Sequence, residues 1–159
     1  MRVVLNASPL IYLGKKRKTS LLRQVFEKVL VPSEVEEEIM KLADSPEAVQ
    51  LRDAVQEGWI EVERSPEDKK KQIAKLFGEI DEGEAAVIAL ALERHGESVI
   101  IDDAEARTAA EYFGLKVHGT LYIILEAYKR NIFKSKVEGI NVVNNMLRKG
   151  FYLSSEVYT

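Results

Sequence analysis

The chain has 159 residues, of which 46% are hydrophobic and 31% charged, and its formal net charge is −3. This length and composition predict one globular domain, residues 1–159, with a hydrophobic core of ordinary size. The slightly acidic charge argues against non-specific coating of nucleic acids, and the absence of cysteine excludes disulfides, zinc–thiolate centres and cysteine nucleophiles.

The sequence predicts no membrane segment. The N-terminus turns polar at Asn6, which is too early for a signal peptide. The longest apolar run, residues 85–92, is far shorter than the roughly 20 residues that cross a bilayer. We therefore expect a cytoplasmic protein.

Short apolar runs alternate with helical patterns along the chain. Strands are predicted at residues 3–5, 29–31, 59–62, 98–101 and 115–117, the third of them at an edge. Helices are predicted at about 10–13, 20–27, 33–42, 46–57, 66–77, 82–94, 103–113, 121–129 and 135–147. Continuous apolar strands joined by helices are typical of βαβ crossovers. The pattern predicts a single α/β/α sandwich with a central, mainly parallel sheet.

Local signals set the ends of these helices. Ser8 before Pro9 predicts an N-cap with proline at the first helical position. Ser33 and Glu36 have the spacing of a capping box. Glycines are expected to end helices at Gly14, Gly58, Gly78, Gly96 and Gly114, and Gly150 leads into a tail at 151–159.

Polar side chains follow two of the predicted strands. Asn6 comes directly after the first strand, and Asp102 and Asp103 come after the fourth. In a parallel sheet these strand ends share one edge, and the helices that run back along the sheet begin there. Glu84, in the first turn of such a helix, should lie at the same edge.

Acids also begin the predicted helix 33–42. At about 1.5 Å per residue, Glu34 lies near the edge and Glu38 about one turn deeper, and spacing alone does not choose between them. Close carboxylates repel, and a hard divalent cation removes that repulsion. Mg²⁺ or Mn²⁺ binds oxygen ligands and lowers the pKa of bound water. The edge therefore suits metal-dependent hydrolysis of a phosphodiester.

Each acid also has a purely structural interpretation. Asp81 with Glu84, and Asp102 with Glu105, have capping-box spacing, and a cap contributes on the order of 1 kcal/mol. Either Asp102 or Asp103 can cap the helix that follows. The functional interpretation rests on the recurrence of acids at one predicted edge.

Four segments resemble the PIN-domain family in order and spacing: VVLNASPLI at 3–11, VPSEVEEEI at 31–39, DEGEAAVIALA at 81–91 and IIDDAEAR at 100–107. Segments 114–121 and 150–158 resemble one prokaryotic subfamily. The resemblance implies a Mg²⁺- or Mn²⁺-dependent ribonuclease, often the toxin of a VapC-type toxin–antitoxin pair and commonly a homodimer.

The resemblance also implies roles for single residues. The first acid of the family falls on Asn6, its small hydroxyl on Ser8, its helix acid on Glu38, its middle acid on Glu84 and its strand-end acid on Asp103, with Asp102 adjacent. Asparagine where the family usually has aspartate keeps an oxygen but removes a charge, so we expect weaker metal affinity. The subfamily itself shows this asparagine.

The leading hypothesis is an endoribonuclease that binds RNA, with an antitoxin protein and a second copy of the chain as expected partners. The predicted catalytic residues are Glu38, Glu84 and Asp103, the Mg²⁺ or Mn²⁺ ligands are Asn6, Glu84, Asp102 and Asp103, and the substrate contacts are Ser8 and Arg107. Basic residues at 15–18 would attract RNA phosphates, and Arg107 can equally be an ordinary surface arginine.

Two rival interpretations stay open. Asn6 also fits a PIN fold that binds RNA or a partner protein without cutting. A receiver-type or phosphatase-type domain would use Asp102 or Asp103 as nucleophile, but its first strand should not end in asparagine, and Lys116 lies within its strand. Neither His95, at a helix end, nor His118, at a strand end, suggests a catalytic triad.

Overall fold

The computed structural model describes residues 1–95, 97–133 and 135–149. The strands are β1 (Arg2–Leu5), β2 (Lys28–Pro32), β3 (Ile60–Glu63), β4 (Ser98–Ile100) and β5 (Val117–His118). The helices are α1 (Ala7–Lys15), α2 (Leu21–Val25), α3 (Ser33–Met40), α4 (Pro46–Glu57), α5 (Glu67–Leu76), α6 (Glu82–Glu93), α7 (Ala104–Tyr112), α8 (Thr120–Lys129) and α9 (Lys136–Arg148). The predicted helix end at Gly96, Gly150 and the tail 151–159 lie outside the described residues.

The strands form one sheet in the order β3-β2-β1-β4-β5, and every neighbouring pair is parallel. The chain builds β1, β2 and β3 toward one edge and then returns to place β4 on the other side of β1. The strand order therefore switches between β1 and β4, which is where open α/β sheets bind ligands. The predicted α/β/α architecture is confirmed, and β3 lies at an edge as expected.

Helices cover both faces of the sheet. On one side α1 packs on α4 and α2 on α8, and on the other α6 packs on α5 and α7. α6 also contacts β1, β2 and β4 and is buried over residues 84–91, as its apolar sequence predicts. Within the described part of the chain, no helix is long and apolar enough to cross a membrane.

The predicted start of α1 is wrong by two residues. The helix begins at Ala7 with Asn6 at the N-cap position, so Ser8 is a helical residue and not the cap. Pro9 still lies in the first turn, where backbone N–H groups have no helical partner to lose. This early start frees the Ser8 hydroxyl for a tertiary hydrogen bond.

Gly14 lies within α1 and does not end it, because the helix continues to Lys15. A Cβ at Gly14 would lie 2.5 Å from Cα and Cβ of Glu47 on α4, so only glycine permits this close packing. Gly58 and Gly114, with φ values of 88° and 81°, follow α4 and α7 as predicted.

The predicted capping box of Ser33 and Glu36 is also wrong. Pro32 occupies the N-cap position of α3, and no side chain caps this helix start. Since Ser33 is already helical, its hydroxyl instead donates a hydrogen bond to Glu34 at 3.2 Å. α3 nevertheless begins at the end of β2, so its acids reach the sheet edge that sequence analysis predicted.

Candidate active site

The start of α6 is a complete capping box. Asp81 Oδ1 accepts a hydrogen bond from the Glu84 N–H at 2.8 Å, and Glu84 Oε1 accepts one from the Asp81 N–H at 2.9 Å. These bonds satisfy N–H groups that a helix start leaves without partners. The structural interpretation of the pair is thus confirmed, and the cap also fixes the direction of both carboxylates.

Three side-chain oxygens converge beside Gly83, the second residue of α6. A Cβ at Gly83 would lie 3.5 Å from Asp81 Oδ1 and 3.7 Å from both Asn6 Oδ1 and Glu38 Oε2. α3, which carries Glu38, packs on α6, and α6 packs on β1, which ends just before Asn6. The three oxygens therefore lie around one small space, which the absence of a side chain at Gly83 leaves unfilled. We call this group the oxygen cluster.

Asn6 lies at the switch in strand order. It is 8% exposed, and its backbone N–H donates to the Ile100 carbonyl at 3.1 Å, which joins the end of β1 to β4. Although Asn6 stands at the N-cap position of α1, its side chain makes no cap hydrogen bond. The amide oxygen lies in the oxygen cluster instead, at the position where the resemblance places the first acid.

Glu84 is 7% exposed although it is a carboxylic acid. Burial is the main cause that raises its pKa to about 7, and the negative charges of Asp81 and Asp103 raise it further, against the hydrogen bond from the Asp81 backbone. The charge of Asp103 thus acts on Glu84, and a joint role of the two acids stays a prediction. A carboxyl with this pKa exchanges its proton near neutral pH.

Asp102 is held on both of its carboxylate oxygens. Ser8 Oγ donates to Oδ2 at 2.5 Å, the Thr120 hydroxyl donates to the same oxygen at 2.6 Å, and the Thr120 backbone N–H donates to Oδ1 at 2.8 Å. The end of β4 is thereby tied to the first turns of α1 and α8. Thr120 was not among the predicted site residues, although its place shortly after the fifth strand puts it at the same edge.

Asp103 caps α7, since its Oδ2 accepts a hydrogen bond from the Ala106 N–H at 3.0 Å. The choice between Asp102 and Asp103 as the cap is thus settled in favour of Asp103. Asp103 is exposed, whereas Asp102 is partly buried. The two adjacent acids therefore differ in setting: one carboxylate faces solvent near Glu84, and the other is fixed by hydroxyl and amide donors.

Glu34 is held in an ion pair. Its Oε2 lies 3.0 Å from Lys70 Nζ and also accepts a short hydrogen bond from the Ser65 hydroxyl. Burial alone would raise the pKa of Glu34, but the bonds from Ser65 and Lys70 outweigh it and hold the pKa below its usual value. Of the two acids that spacing left open, Glu38 is the one whose carboxylate lies in the oxygen cluster.

Arg107 is 7% exposed, and its Nη1 donates to the Ile101 carbonyl at 2.8 Å. The alternative of an ordinary surface arginine is therefore wrong. The planar guanidinium supports the backbone immediately before Asp102, where a buried arginine finds fixed acceptors. A contact between Arg107 and substrate stays a prediction.

An acidic cleft of about 300 Å³ opens beside the oxygen cluster. Its lining residues are Glu34, Glu37, Glu38, Lys41, Asp81, Glu82 and Gly83. Within the described residues, no three His, Cys, Asp or Glu side chains are arranged to hold a metal ion. The oxygen cluster itself contains two carboxylates and the amide of Asn6. The donor set fits a hard cation that uses one or two carboxylates and keeps several waters.

A fully parallel, doubly wound sheet with acids at its switch point defines the class of this protein: α/β domains whose ligand site lies at the carboxyl ends of the strands. A family model described as "DUF3368: PIN domain" matches residues 2–159. The chain therefore belongs to this PIN-domain family, as its motifs predict.

Solved structures are similar at low identity. The chain is 17% identical to a chain in the crystal structure of FitAcB from Neisseria gonorrhoeae, with a TM-score of 0.46 and coverage of 74% of this chain and 97% of that chain. For a structure of FitAB bound to an IR36 DNA fragment the identity is 17%, the TM-score 0.45 and the coverage 74% and 94%. No curated protein matches the sequence.

Proposed function

We propose that this protein is a Mg²⁺- or Mn²⁺-dependent endoribonuclease. The observation that carries the proposal is the convergence of oxygens from Asn6, Glu38 and Asp81 beside Gly83. Membership of the PIN-domain family supports the same reaction class. These oxygens come from three parts of the chain that are distant in the sequence. Helix capping alone does not require them to lie together.

The residues of the site would have three different roles: binding the cation, accepting a proton and holding the end of the strand in place. Asn6, Glu38 and Asp81 would hold the cation. The ligand roles of Glu84 and Asp103 stay predictions. Once bound, the cation supplies an acidified water and neutralises charge on the phosphoryl group. The pKa of Glu84 is about 7 in the metal-free protein, and a bound cation nearby would lower it, so the ionised carboxylate could accept a proton from water at neutral pH. Asp102, fixed by Ser8 and Thr120, would orient the strand end rather than act as the main ligand.

We propose RNA as the substrate, an antitoxin protein as a partner and a homodimer as the assembly. These proposals rest on family membership and on the resemblance of the motifs. We also propose that residues 1–159 form a single domain, since one hydrophobic cluster extends from Val3 to Met146. RNA phosphates would meet the basic residues at 15–18, three of which are exposed.

Cleavage of a mixed RNA substrate with Mn²⁺ tests the proposal. Wild-type protein should cut RNA with Mn²⁺ and lose the activity in EDTA. Asp103→Asn keeps a good N-cap for α7 but removes the charge near Glu84, so its rate should fall at least about 100-fold, in the range typical of lost charge stabilisation. The control is Asp68→Asn, an exposed acid on α5 that makes no ion pair within the described structure. Equal rates for wild type and Asp103→Asn would exclude this mechanism.

A second candidate function is a PIN fold that binds RNA or a protein without cutting it. The amide of Asn6 favours this candidate. With asparagine at this position the oxygen cluster has two carboxylates, whereas aspartate would give it three, so its negative charge for binding a cation is lower. Calorimetric titration separates the two functions. RNA binding without any binding of Mn²⁺ or Mg²⁺ would support the non-catalytic module.

A further inference from the structure

Lys70, on α5, is a buried lysine. Its ammonium lies 3.0 Å from Glu34 Oε2, 3.1 Å from Glu67 Oε2 and 3.6 Å from Glu82 Oε1. The side chains of Lys70 and Glu34 are only 11% and 10% exposed. Glu34 on α3 and Glu67 on α5 lie within hydrogen-bond distance of the ammonium. Glu82 on α6, which is 72% exposed, is an ion-pair partner at longer distance.

Two of these carboxylates line the same cleft as the proposed metal ligands. Glu34 stands one helical turn before Glu38 on α3, and Glu82 directly follows Asp81 at the start of α6. α3 thus presents Glu34, Glu37 and Glu38 to the cleft, and the start of α6 presents Asp81 and Glu82. Glu38 and Asp81 lie in the oxygen cluster, whereas Glu34 and Glu82 are bridged by Lys70.

We propose that Lys70 is a positioning residue that takes the place of a second divalent cation and so limits the cleft to one metal ion. Its ammonium holds Glu34 and Glu82, the two acids that would otherwise form a second ligand pair beside Glu38 and Asp81. This inference rests on the proposed function, since it concerns how many metal ions the same cleft binds.

The chemistry of an ammonium fits this role. It supplies positive charge without the dehydration that Mg²⁺ resists, and it is tethered to α5, so it stays between α3 and α6 whether or not metal is bound. Breaking a buried ion pair by removing one partner leaves an uncompensated charge. Without Lys70, the buried Glu34 must take up a proton or bind a cation. The manganese titration below distinguishes these two outcomes.

Manganese titration followed by electron paramagnetic resonance counts the bound ions, because bound Mn²⁺ loses the signal of the free ion. Wild type should bind one Mn²⁺ per chain, and Lys70→Met should bind one more. Lys41 lines the same cleft and makes no ion pair within the described residues, so it provides the matched control. Lys41→Met removes the same charge but frees no acid, and it should leave the number of bound ions unchanged.

Glu34 variants keep the test decisive if Lys70→Met fails to fold. Glu34→Gln alone should bind Mn²⁺ as tightly as wild type, because in wild type Glu34 is already paired with Lys70 and does not bind the metal ion. In the double variant Lys70→Met with Glu34→Gln, the extra ion should be lost again. Unfolding curves recorded for every variant identify loss of fold separately.

The outcomes for Lys70 and for the nuclease are distinguishable. An extra ion in Lys70→Met, absent from Lys41→Met, supports the role of Lys70 even if wild type cleaves no RNA. The role is overturned if Lys70→Met gains no ion, if Lys41→Met gains the same ion, or if Glu34→Gln weakens Mn²⁺ binding by tenfold or more. A wild type that binds no Mn²⁺ counts against the proposed nuclease but leaves the comparison of variants intact.

Discussion

Thr120 donates two hydrogen bonds to Asp102: its backbone N–H donates to Oδ1 at 2.8 Å, and its hydroxyl donates to Oδ2 at 2.6 Å. Thr120 is fully buried and begins α8, whereas Asp102 lies in the loop between β4 and α7. The two hydrogen bonds therefore join the start of α8, which follows β5, to the loop after β4 at the switch in strand order. Charged acceptors make such hydrogen bonds stronger than those between neutral groups.

Thr120→Val should destabilise the fold without changing its shape. Valine keeps the volume but removes one donor to a carboxylate, which costs about 1.5–3 kcal/mol of the free energy of unfolding. Urea denaturation measures this loss. The matched control is Thr108→Val on α7, whose hydroxyl donates only to a helix carbonyl at an exposed position. If the two variants are equally stable, the Thr120 hydroxyl does not hold Asp102.

Glu84 should make the protein less stable as the pH rises from about 4.5 to about 7. Its pKa is about 7 in the folded chain and 4.5 in the reference state, so in this window the folded protein keeps a proton that the unfolded chain releases. The effect is absent below the window and complete above it. At about 1.4 kcal/mol per pKa unit, the contribution is on the order of 3 kcal/mol.

Glu84→Gln isolates this effect, because glutamine can still complete the capping box with Asp81. Urea denaturation in EDTA at several pH values should show the stability of Glu84→Gln relative to wild type rising from about pH 5 to about pH 8. Glu34, whose pKa is lowered, makes the protein more stable as the pH rises. Since both proteins contain Glu34, its contribution cancels in the difference between them. A difference that does not vary with pH would mean that Glu84 titrates normally.

Gly83→Ala should weaken metal binding and spare the fold. The added Cβ would enter the space between Asn6, Glu38 and Asp81 at 3.5–3.7 Å from their oxygens, which is an ordinary contact distance. Alanine favours a helix over glycine by up to about 1 kcal/mol, so the free energy of unfolding should not fall. Mn²⁺ affinity, measured by calorimetry, should drop by roughly tenfold, or about 1.4 kcal/mol.

Gly78→Ala is the control for this change, since a Cβ there meets nothing within 4 Å and its φ is not positive. It should bind Mn²⁺ like wild type. Unchanged affinity in Gly83→Ala would place the metal elsewhere than in the oxygen cluster.

Asn6→Asp should bind metal more tightly but be less stable without it. A third carboxylate beside Glu38 and Asp81 adds repulsion in the free protein and attraction for a cation, each worth about 1–4 kcal/mol at this degree of burial. Thermal unfolding should therefore show a lower midpoint in EDTA and a larger rise with Mn²⁺ than in wild type. Asn144→Asp, an exposed change on α9, adds the same charge and serves as control. Equal Mn²⁺ affinity in Asn6→Asp and wild type would argue against Asn6 as a ligand.

The periodicity of the sequence determined the strands, the buried helix α6 and the sheet edge at which Asn6, Glu84 and Asp103 stand. Those features follow from residues that are close in the chain, because apolar spacing and helix caps act locally. For the same reason the Asp81–Glu84 cap was predictable, since its partners are three residues apart.

Only the tertiary structure decided which acids are available. Spacing alone left Glu34 and Glu38 open, and the family resemblance implied Glu38. In the structure Lys70, which is 36 residues from Glu34, pairs with Glu34, whereas Glu38 lies in the oxygen cluster. Thr120 and Ser8 likewise occupy Asp102 from distant parts of the chain, and packing buries Arg107 against the Ile101 carbonyl. Competition among side chains for one carboxylate depends on which helices meet in space, and local periodicity does not contain that information.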